Sequence, residues 1–284
     1  MHVPVMLPEA LEYLAVRPDG FYVDVTLGLA GHSRAIADRL TSGRLLSLDR
    51  DAESMELARQ NLGPSADRVE FRQARFSELA ALGISEADGL IADLGVSKFQ
   101  LTTADRGFSF MNAGPVDMRM DRSKGTTAGE IVNTVDERTL ANLIFEYAEE
   151  RRSRQIARAI VRARPIRDTA HLAAVIEGAV ARSGPIHPAT RTFMALRLVV
   201  NEELDELDSL LESAPKLLRP GGRFVVITFM SLEDRKVKQS FQELAREGRA
   251  RILTKHVVRP SDSEVRQNPP SRSAKLRAIE IQEQ

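Results

Sequence analysis

The chain has 284 residues, 43% hydrophobic and 28% charged, a balance unlike a disordered or membrane protein and sufficient for one large domain or a core with a second lobe. Its 40 basic and 40 acidic side chains cancel, so gross charge gives no push toward nucleic acid, and the absence of cysteine excludes disulfides, thiolate metal sites and a cysteine nucleophile. No apolar run approaches the roughly 20 residues of a membrane span and the N-terminus lacks a basic-then-apolar signal layout, so the cytoplasm is the expected compartment.

In chain order, Phe21 to Leu27 alternates apolar with small or polar residues and runs into Gly28, Ala30 and Gly31; His32 to Leu40 then reads as a helix closed by Gly43. A second strand, Arg44 to Leu48, ends at Asp49 and is followed by helical spacing over Glu53 to Leu62. A third strand, Val69 to Arg72, leads to Phe76, and a fourth, Gly89 to Ala92, ends at Asp93. Strands alternating with helices predict a parallel sheet covered on both faces. From about Thr103 to Arg197 no buried-strand pattern occurs, whereas helical periodicity runs through Glu137 to Ala163 and Thr169 to Ala181, which predicts an inserted helical lobe. Pro188 opens a long helical stretch to Leu218; Pro220-Gly221-Gly222 then turns the chain into a buried strand, Arg223 to Phe229. Two more strands are expected near Ile252 to Val258 and Ala274 to Ile281. Asn268-Pro269-Pro270 reads as a loop.

Ligands of doubly wound sheets bind beyond the carboxyl ends of strands, where a glycine turn lets the backbone approach and a helix begins. Gly28 to His32 holds that position, and Asp49 follows Gly28 at about the interval of an acidic residue that accepts ribose hydroxyls. Together they predict an adenosine-type ligand. The run Thr26-Leu27-Gly28-Leu29-Ala30-Gly31 is not G-x-G-x-x-G, which counts against a nicotinamide cofactor. The alternatives are a purely structural turn for the glycines, a helix cap for Asp49, a first-turn surface position for His32, a core ring for Phe76 and a local turn for Asp93. The five histidines, His2, His32, His171, His187 and His256, are scattered, so no metal site is expected.

Several long strings then occur in order: His2 to Leu7, Asp24 to Ala35, Asp93-Leu94-Gly95-Val96-Ser97, Arg106 to Phe110, Gly114 to Asp121, His187 to Phe193, Ser231 to Arg235 and Arg272 to Arg277. On these strings, which span nearly the whole chain, the sequence resembles the RsmH (MraW) family, methyltransferases that act on the N4 amino group of a cytidine in the decoding region of bacterial 16S ribosomal RNA. The resemblance implies an α/β fold, a doubly wound class I S-adenosylmethionine-dependent (Rossmann-like) core formed by residues 1–103 and 198–284, closed by an antiparallel hairpin. It also implies an all-helical substrate-recognition domain inserted at 104–197. Besides Gly28 of the turn, contacts to S-adenosyl-L-methionine would fall on Ala30, Gly31, His32, Asp49, Phe76, Asp93 and Gln100. The implied partner is 16S rRNA in the small ribosomal subunit, and the oligomeric state stays open between monomer and homodimer. The sequence departs from the family's usual Gly at Ala30, Ser-Pro at Lys98-Phe99, His at Met230 and Arg near Pro270.

Methylating an amine requires an acceptor for the amine's hydrogen, and Asp93 and Asp117 are the candidate catalytic groups, with Asp121 a third; Asp117 and Asp121 could instead pair with Arg119 and Arg122 in a folded turn. Phe108 and Phe110 could stack an unstacked base or belong to the core. Two arginine-rich stretches, Arg151 to Arg167 and Arg249 to Arg277, are either phosphate contacts or solvated faces. Other readings that stay open are a methyltransferase for another RNA or DNA base, a non-catalytic ribosome-assembly factor and, more remotely, a nicotinamide oxidoreductase.

Overall fold

The computed structural model describes residues 4–182, 184 and 186–283; His2 and Val3, with which the first family-like string begins, lie outside them. The chain divides into two compact units, one running through Val96 and resuming at Asp205, the other Ser97–Leu204, against the expected boundaries of 104 and 197.

The first unit is built on a seven-stranded sheet of order β3-β2-β1-β4-β5-β7-β6. Its strands are β1 (Phe21–Asp24), β2 (Arg44–Asp49), β3 (Val69–Gln73), β4 (Ala87–Asp93), β5 (Leu218–Thr228), β6 (Ala250–Ile252) and β7 (Lys275–Ile281). The first five pair in parallel, whereas β7 lies antiparallel between β5 and β6. Period-two alternation sends successive side chains to opposite faces. In β5, Val225 and Ile227 enter a core that includes Leu11 and Leu14 of α1 (Leu7–Leu14), Ile36 of α2 (Gly31–Ala37) and Met55 and Ala58 of α3 (Ala52–Leu62). Phe224 and Val226 face the other way, where the core continues into Leu207 and Leu210 of α10 (Glu203–Leu217) and Val237 and Phe241 of α11 (Ser231–Arg246). Helices on both faces make β4 and β5 nearly continuous apolar runs, as a doubly wound sheet demands.

The hairpin that closes the sheet is shorter than expected: β6 stops at Ile252, and Val258 keeps only an isolated bridge to Leu276. The expected turn at Pro220-Gly221-Gly222 sits inside β5. Pairing with β4 jumps from Ala87–Leu218 to Gly89–Arg223, and Gly221 takes φ +77°, so the extra residues form a bulge rather than a break. Pro269–Ser273, within the expected loop, is a short 3-10 turn preceded by α12 (Asp262–Gln267).

No strand occurs among the described residues of the second unit. It contains α4 (Lys98–Thr102), α5 (Ala128–Thr134), α6 (Glu137–Ala148), α7 (Ser153–Arg162), α8 (Thr169–Ala179) and α9 (Ala189–Val200). Two stretches read as continuous from periodicity are each two helices. The break between α6 and α7 falls at Glu149, with φ +51°, and the break between α9 and α10 at Asn201-Glu202, where Glu202 has φ +52°. Periodicity cannot register these breaks, because a left-handed residue interrupts the helix without disturbing the apolar spacing around it.

Asn201 shows what the second break is for. Its side chain, 1% exposed, accepts from Met120 N at 2.7 Å and donates to the Met118 carbonyl at 2.7 Å. It thereby satisfies a buried backbone segment that has no sheet or helix partner. Replacing it with Leu preserves volume and orphans both groups, so Asn201→Leu is expected to destabilise the protein by about 2–4 kcal/mol in urea denaturation, with an unchanged or smaller denaturant slope.

Candidate cofactor crevice

The chain leaves β1 outward to β2 and β3, then returns to add β4 on the other side of β1, so the strand order reverses between β1 and β4. Carboxyl ends of strands at such a reversal splay apart and leave a crevice. A hydrogen bond fixes its floor: Asp93 N, at the end of β4, donates to Thr26 Oγ1, just past β1, at 2.6 Å.

Three carboxylates close three neighbouring strands here. Asp24 ends β1 and is 1% exposed; its Oδ1 accepts from Thr26 N at 3.0 Å and its Oδ2 from Ser33 Oγ at 2.6 Å, with Ser47 Oγ 2.8 Å from that hydroxyl. Burial raises its pKa above the usual value, against the pull of those hydrogen bonds. Asp49 ends β2. Its Oδ2 accepts from Gly28 N at 2.8 Å and its Oδ1 from Asp51 N at 2.9 Å, so it props up the glycine turn. It is not the helix cap: Asp51 caps α3, accepting from Glu53 N and Ser54 N. Burial drives the Asp49 carboxyl up to about 6, opposed by the two backbone N–H groups.

Asp93 ends β4. Burial pushes its pKa well above the carboxylate range, and Asp24, Glu233 and Glu264 push the same way. Its Oδ1 is buried and, among the described residues, has no hydrogen-bond partner, whereas Oδ2 lies 3.7 Å from His32 Nδ1. His32 is 5% exposed rather than a surface residue, and its Nε2 lies 3.0 Å from the Val5 carbonyl, which fixes Nε2 as the donor and turns Nδ1 toward Asp93.

The turn itself is left-handed at two points, Gly28 with φ +50° and Ala30 with φ +66°. Alanine tolerates that conformation at a cost of roughly 1–2 kcal/mol, so replacement of the family's usual glycine keeps the turn. Gly31 is needed for another reason: a Cβ there would meet Pro4 Cγ at 2.8 Å, so the segment Pro4-Val5-Met6 lies against the turn. That segment is held from the far end of the chain as well, since Met6 N donates to Glu264 Oε1 at 2.7 Å. Phe76 opens a 3-10 turn after β3 and is partly buried; the next residue, Ser77, donates through N and Oγ to Glu206 at 3.0 and 2.8 Å.

Gly28, Ala30, Gly31, His32, Asp49 and Asp93 are thus brought together. Gln100 and Asp117 belong to the other unit, where each has local work. Gln100 accepts from Ser97 N at 2.9 Å in the capping box that starts α4. Asp117 takes a two-point contact from Arg119, Nε at 2.8 Å and Nη2 at 3.0 Å, with Arg122 at 3.7 Å. Burial opposes its ionisation, but the two arginines outweigh it and hold the carboxyl below the usual range. Asp121 accepts from Ser123 and lies 3.6 Å from Lys124. Met230 starts α11 with its N–H bonded to Glu233 at 3.0 Å. Phe108 is a core residue at 7% exposure.

Asp24 was not singled out from the sequence. The rule that selected Asp93, a carboxylate closing a buried strand, missed Asp24 because the first strand was expected to run on to Leu27, whereas β1 ends at Asp24.

The chain matches a family model described as the MraW methylase family over residues 1–282. It is 58% identical to "Ribosomal RNA small subunit methyltransferase H" of Solibacter usitatus, with 99% of this chain and 100% of that protein covered. The chain belongs to the MraW methylase family. It is also 51% identical to the protein of the same name in Acidobacterium capsulatum, with 98% of each covered. Among solved structures, a putative rRNA-methylase from Clostridium thermocellum is similar at 11% identity with a TM-score of 0.49, covering 99% of this chain and 100% of that one. As a MraW methylase, the protein uses S-adenosylmethionine. The crevice suits that group: the unpartnered Asp93 oxygen offers an acceptor to a cationic or amine-bearing ligand, and the glycine turn leaves backbone accessible. No helix among the described residues is long and apolar enough to cross a membrane.

Raised carboxylates have a signature in solution. Between about pH 4 and pH 6 the native state binds more protons than the unfolded chain, because Asp49 titrates near 6 when folded and near the ordinary aspartate value of 3.8 when unfolded. Stability of the ligand-free protein therefore falls as pH rises through that window. Asp24 and Asp93 shift in the same direction. Asp49→Asn is expected to remove about 1–2 kcal/mol of that pH dependence, measured by denaturant melts at pH 4.5 and 6.5; an identical slope in the variant would contradict the assignment.

Proposed function

We propose that this methyltransferase modifies the N4 amino group of a cytidine in the decoding region of 16S rRNA, within the small ribosomal subunit and in the cytoplasm. Support for the RNA target comes from the name carried by full-length relatives at up to 58% identity, "Ribosomal RNA small subunit methyltransferase H". Support for an amine acceptor comes from one observation, the buried and unpartnered Oδ1 of Asp93.

The residues proposed to hold S-adenosylmethionine are the Gly28, Ala30, Gly31, His32 turn with Asp49, Asp93 and Phe76, and Gln100 from the helical unit. Asp49 would accept from a ribose hydroxyl, and Phe76 would lie against the adenine. When bound, this cofactor supplies an electrophilic methyl on a sulfonium, so the reaction is an in-line displacement. Transfer of that methyl to N4, with the sulfur as leaving group, would leave the nitrogen with a proton to shed. The cytosine amine is a poor nucleophile because its lone pair is delocalised into the ring. A carboxylate accepting from its N–H localises that pair in the direction of attack, and a carboxylate with a raised pKa is also suited to receive the proton. Asp93 is the residue proposed for both tasks. Asp117, a catalytic candidate from the sequence, is better suited to positioning: its ion pairs with Arg119 and Arg122 stiffen the Gly114 to Asp121 loop. The helical unit is proposed as the RNA-recognition domain, whose job includes holding the target base out of its stack.

The experiment incubates the protein and methyl-labelled S-adenosylmethionine with small subunits lacking the modification, then identifies the labelled nucleoside by mass spectrometry. N4-methylcytidine in 16S rRNA is expected, and label in another nucleoside overturns the acceptor assignment. Asp93→Asn should lower turnover by roughly 10²- to 10⁴-fold; a loss below tenfold would remove Asp93 from the chemistry.

A further inference from the structure

The helical unit carries a charge distribution that its own folding does not require. Between Arg151 and Arg167 there are seven arginines and no acidic residue. Two have structural work: Arg152 donates to the Ala181 carbonyl at 2.7 Å, and Arg164 donates to the carbonyls of Val132 and Val135. Others do not. Arg151, Arg154 and Arg162 are exposed and, among the described residues, have no ion-pair partner, while Arg158 meets only the partly exposed Glu137 at 3.3 Å.

Arg154, Arg158 and Arg162 lie on one stripe of α7, opposite the buried Ile156, Ala157 and Ile160, and Arg151 precedes the helix in the turn that leads into it. From Arg154 to Arg158 to Arg162 each step of four residues advances about 6 Å along the helix axis, close to the separation of successive phosphates on a nucleic acid strand. The stripe begins where cations are least welcome. α7 has no side-chain cap and no acidic residue in its first turn, so the arginines at its start face the positive end of the helix dipole, beside Glu150, which accepts from Arg152 N at 2.9 Å. Arginine in place of lysine supplies planar forks that fit phosphate oxygens at two points.

A second feature adjoins the same end. Arg191, at the start of α9, lies 3.6 Å from Glu150, the buried carboxylate that also meets Arg152 at 3.5 Å, so α9 begins beside the turn from which the stripe rises. Just before α9, the half-buried His187 ring packs on Phe110 with centroids 4.7 Å apart, and the neighbouring Met111 is 81% exposed. A phosphate-spaced row of guanidiniums ending near an aromatic pair is the combination that single-stranded nucleic acid uses, backbone in the charged row and base on the ring. An acidic protein segment would use the charges and have no need of the ring.

Resting on the RNA reading above, we propose that Arg151, Arg154, Arg158 and Arg162 form a docking ridge for the sugar–phosphate backbone of unpaired RNA, with Phe110 and His187 at its end receiving a base. The four exposed C-terminal cations Lys255, Arg259, Arg266 and Arg272 form no such row, and Arg249, Arg251, Lys275 and Arg277 are committed to Glu247, Glu280 and Asp234.

The test compares the full chain with R154Q/R158Q/R162Q and with a control that loses three charges elsewhere, R39Q/R246Q/R249Q. The probes are an oligouridylate and a 16S decoding-region fragment, titrated across a salt series. Loss of three phosphate contacts should reduce the slope of log Kd against log salt by about 2 on both RNAs, with affinity at low salt down tenfold or more. Cofactor affinity and melting temperature should not change, and the control should keep the wild-type slope. Phe110→Leu should weaken binding about tenfold at an unchanged slope, since stacking releases no ions. A ridge variant with the wild-type slope overturns the proposal, even if the enzyme makes N4-methylcytidine. So does a variant that loses binding to polyglutamate but not to RNA, which would make the ridge a protein-docking site. Slope loss on oligouridylate without any N4-methylcytidine would leave the ridge standing and remove the acceptor assignment alone.

Discussion

The reversal of strand order between β1 and β4 is the constraint on which the rest of the site depends. Two adjacent parallel strands whose connections leave in opposite directions cannot be covered by the same loop, so their carboxyl ends stay open. The Thr26 hydroxyl bond to Asp93 N ties the two ends together across that opening. Everything that gives the crevice its chemistry follows from this: the glycine turn after β1, the carboxylate after β4 and the carboxylate after β2 that supports the turn. Apolar cores on both faces of the sheet hold the three strand ends rigidly enough for the arrangement to persist.

That rigidity has an electrostatic cost. Asp24, Asp49 and Asp93 are all buried enough to raise their pKa values, and no arginine or lysine among the described residues neutralises them. The contrast with Asp117 and Asp234 is instructive. Those carboxyls are held below the usual range by adjacent cations, Arg119 for one and Arg277 with Lys275 for the other, and behave as structural ion pairs. Carboxylates left short of positive charge at one place, in a chain that pairs them elsewhere, mark a candidate functional site.

Much of this was legible in the sequence. The alternation of strand and helix, the glycine turn and the carboxylates after β2 and β4 were readable because each rests on local spacing. The two broken helices were not, because Glu149 and Glu202 enter the left-handed region with ordinary side chains and leave the apolar period intact. Nor was the fate of individual cations: Arg277 and Arg154 look alike in sequence, yet one is locked to Asp234 at 2.7 Å and the other stands in solvent. Pairing is a long-range property, set by which elements the fold brings side by side. The role of Asp49 shows the same limit, since its bond to Gly28 spans 21 positions whereas the cap it might have supplied is made by Asp51.

The strap Pro4-Val5-Met6 joins the two extremes of the chain at one spot, packed on Gly31, bonded to His32 and fastened by Glu264. During synthesis the strap, the glycine turn and β4 leave the ribosome well before Glu264, so their clasp is missing when they emerge. β7, which pairs with β5 on one side and gives the edge strand β6 its sheet partner on the other, comes later still. A nascent chain therefore carries an incomplete crevice until Glu264 and β7 have been made, and the first four strands alone cannot complete it.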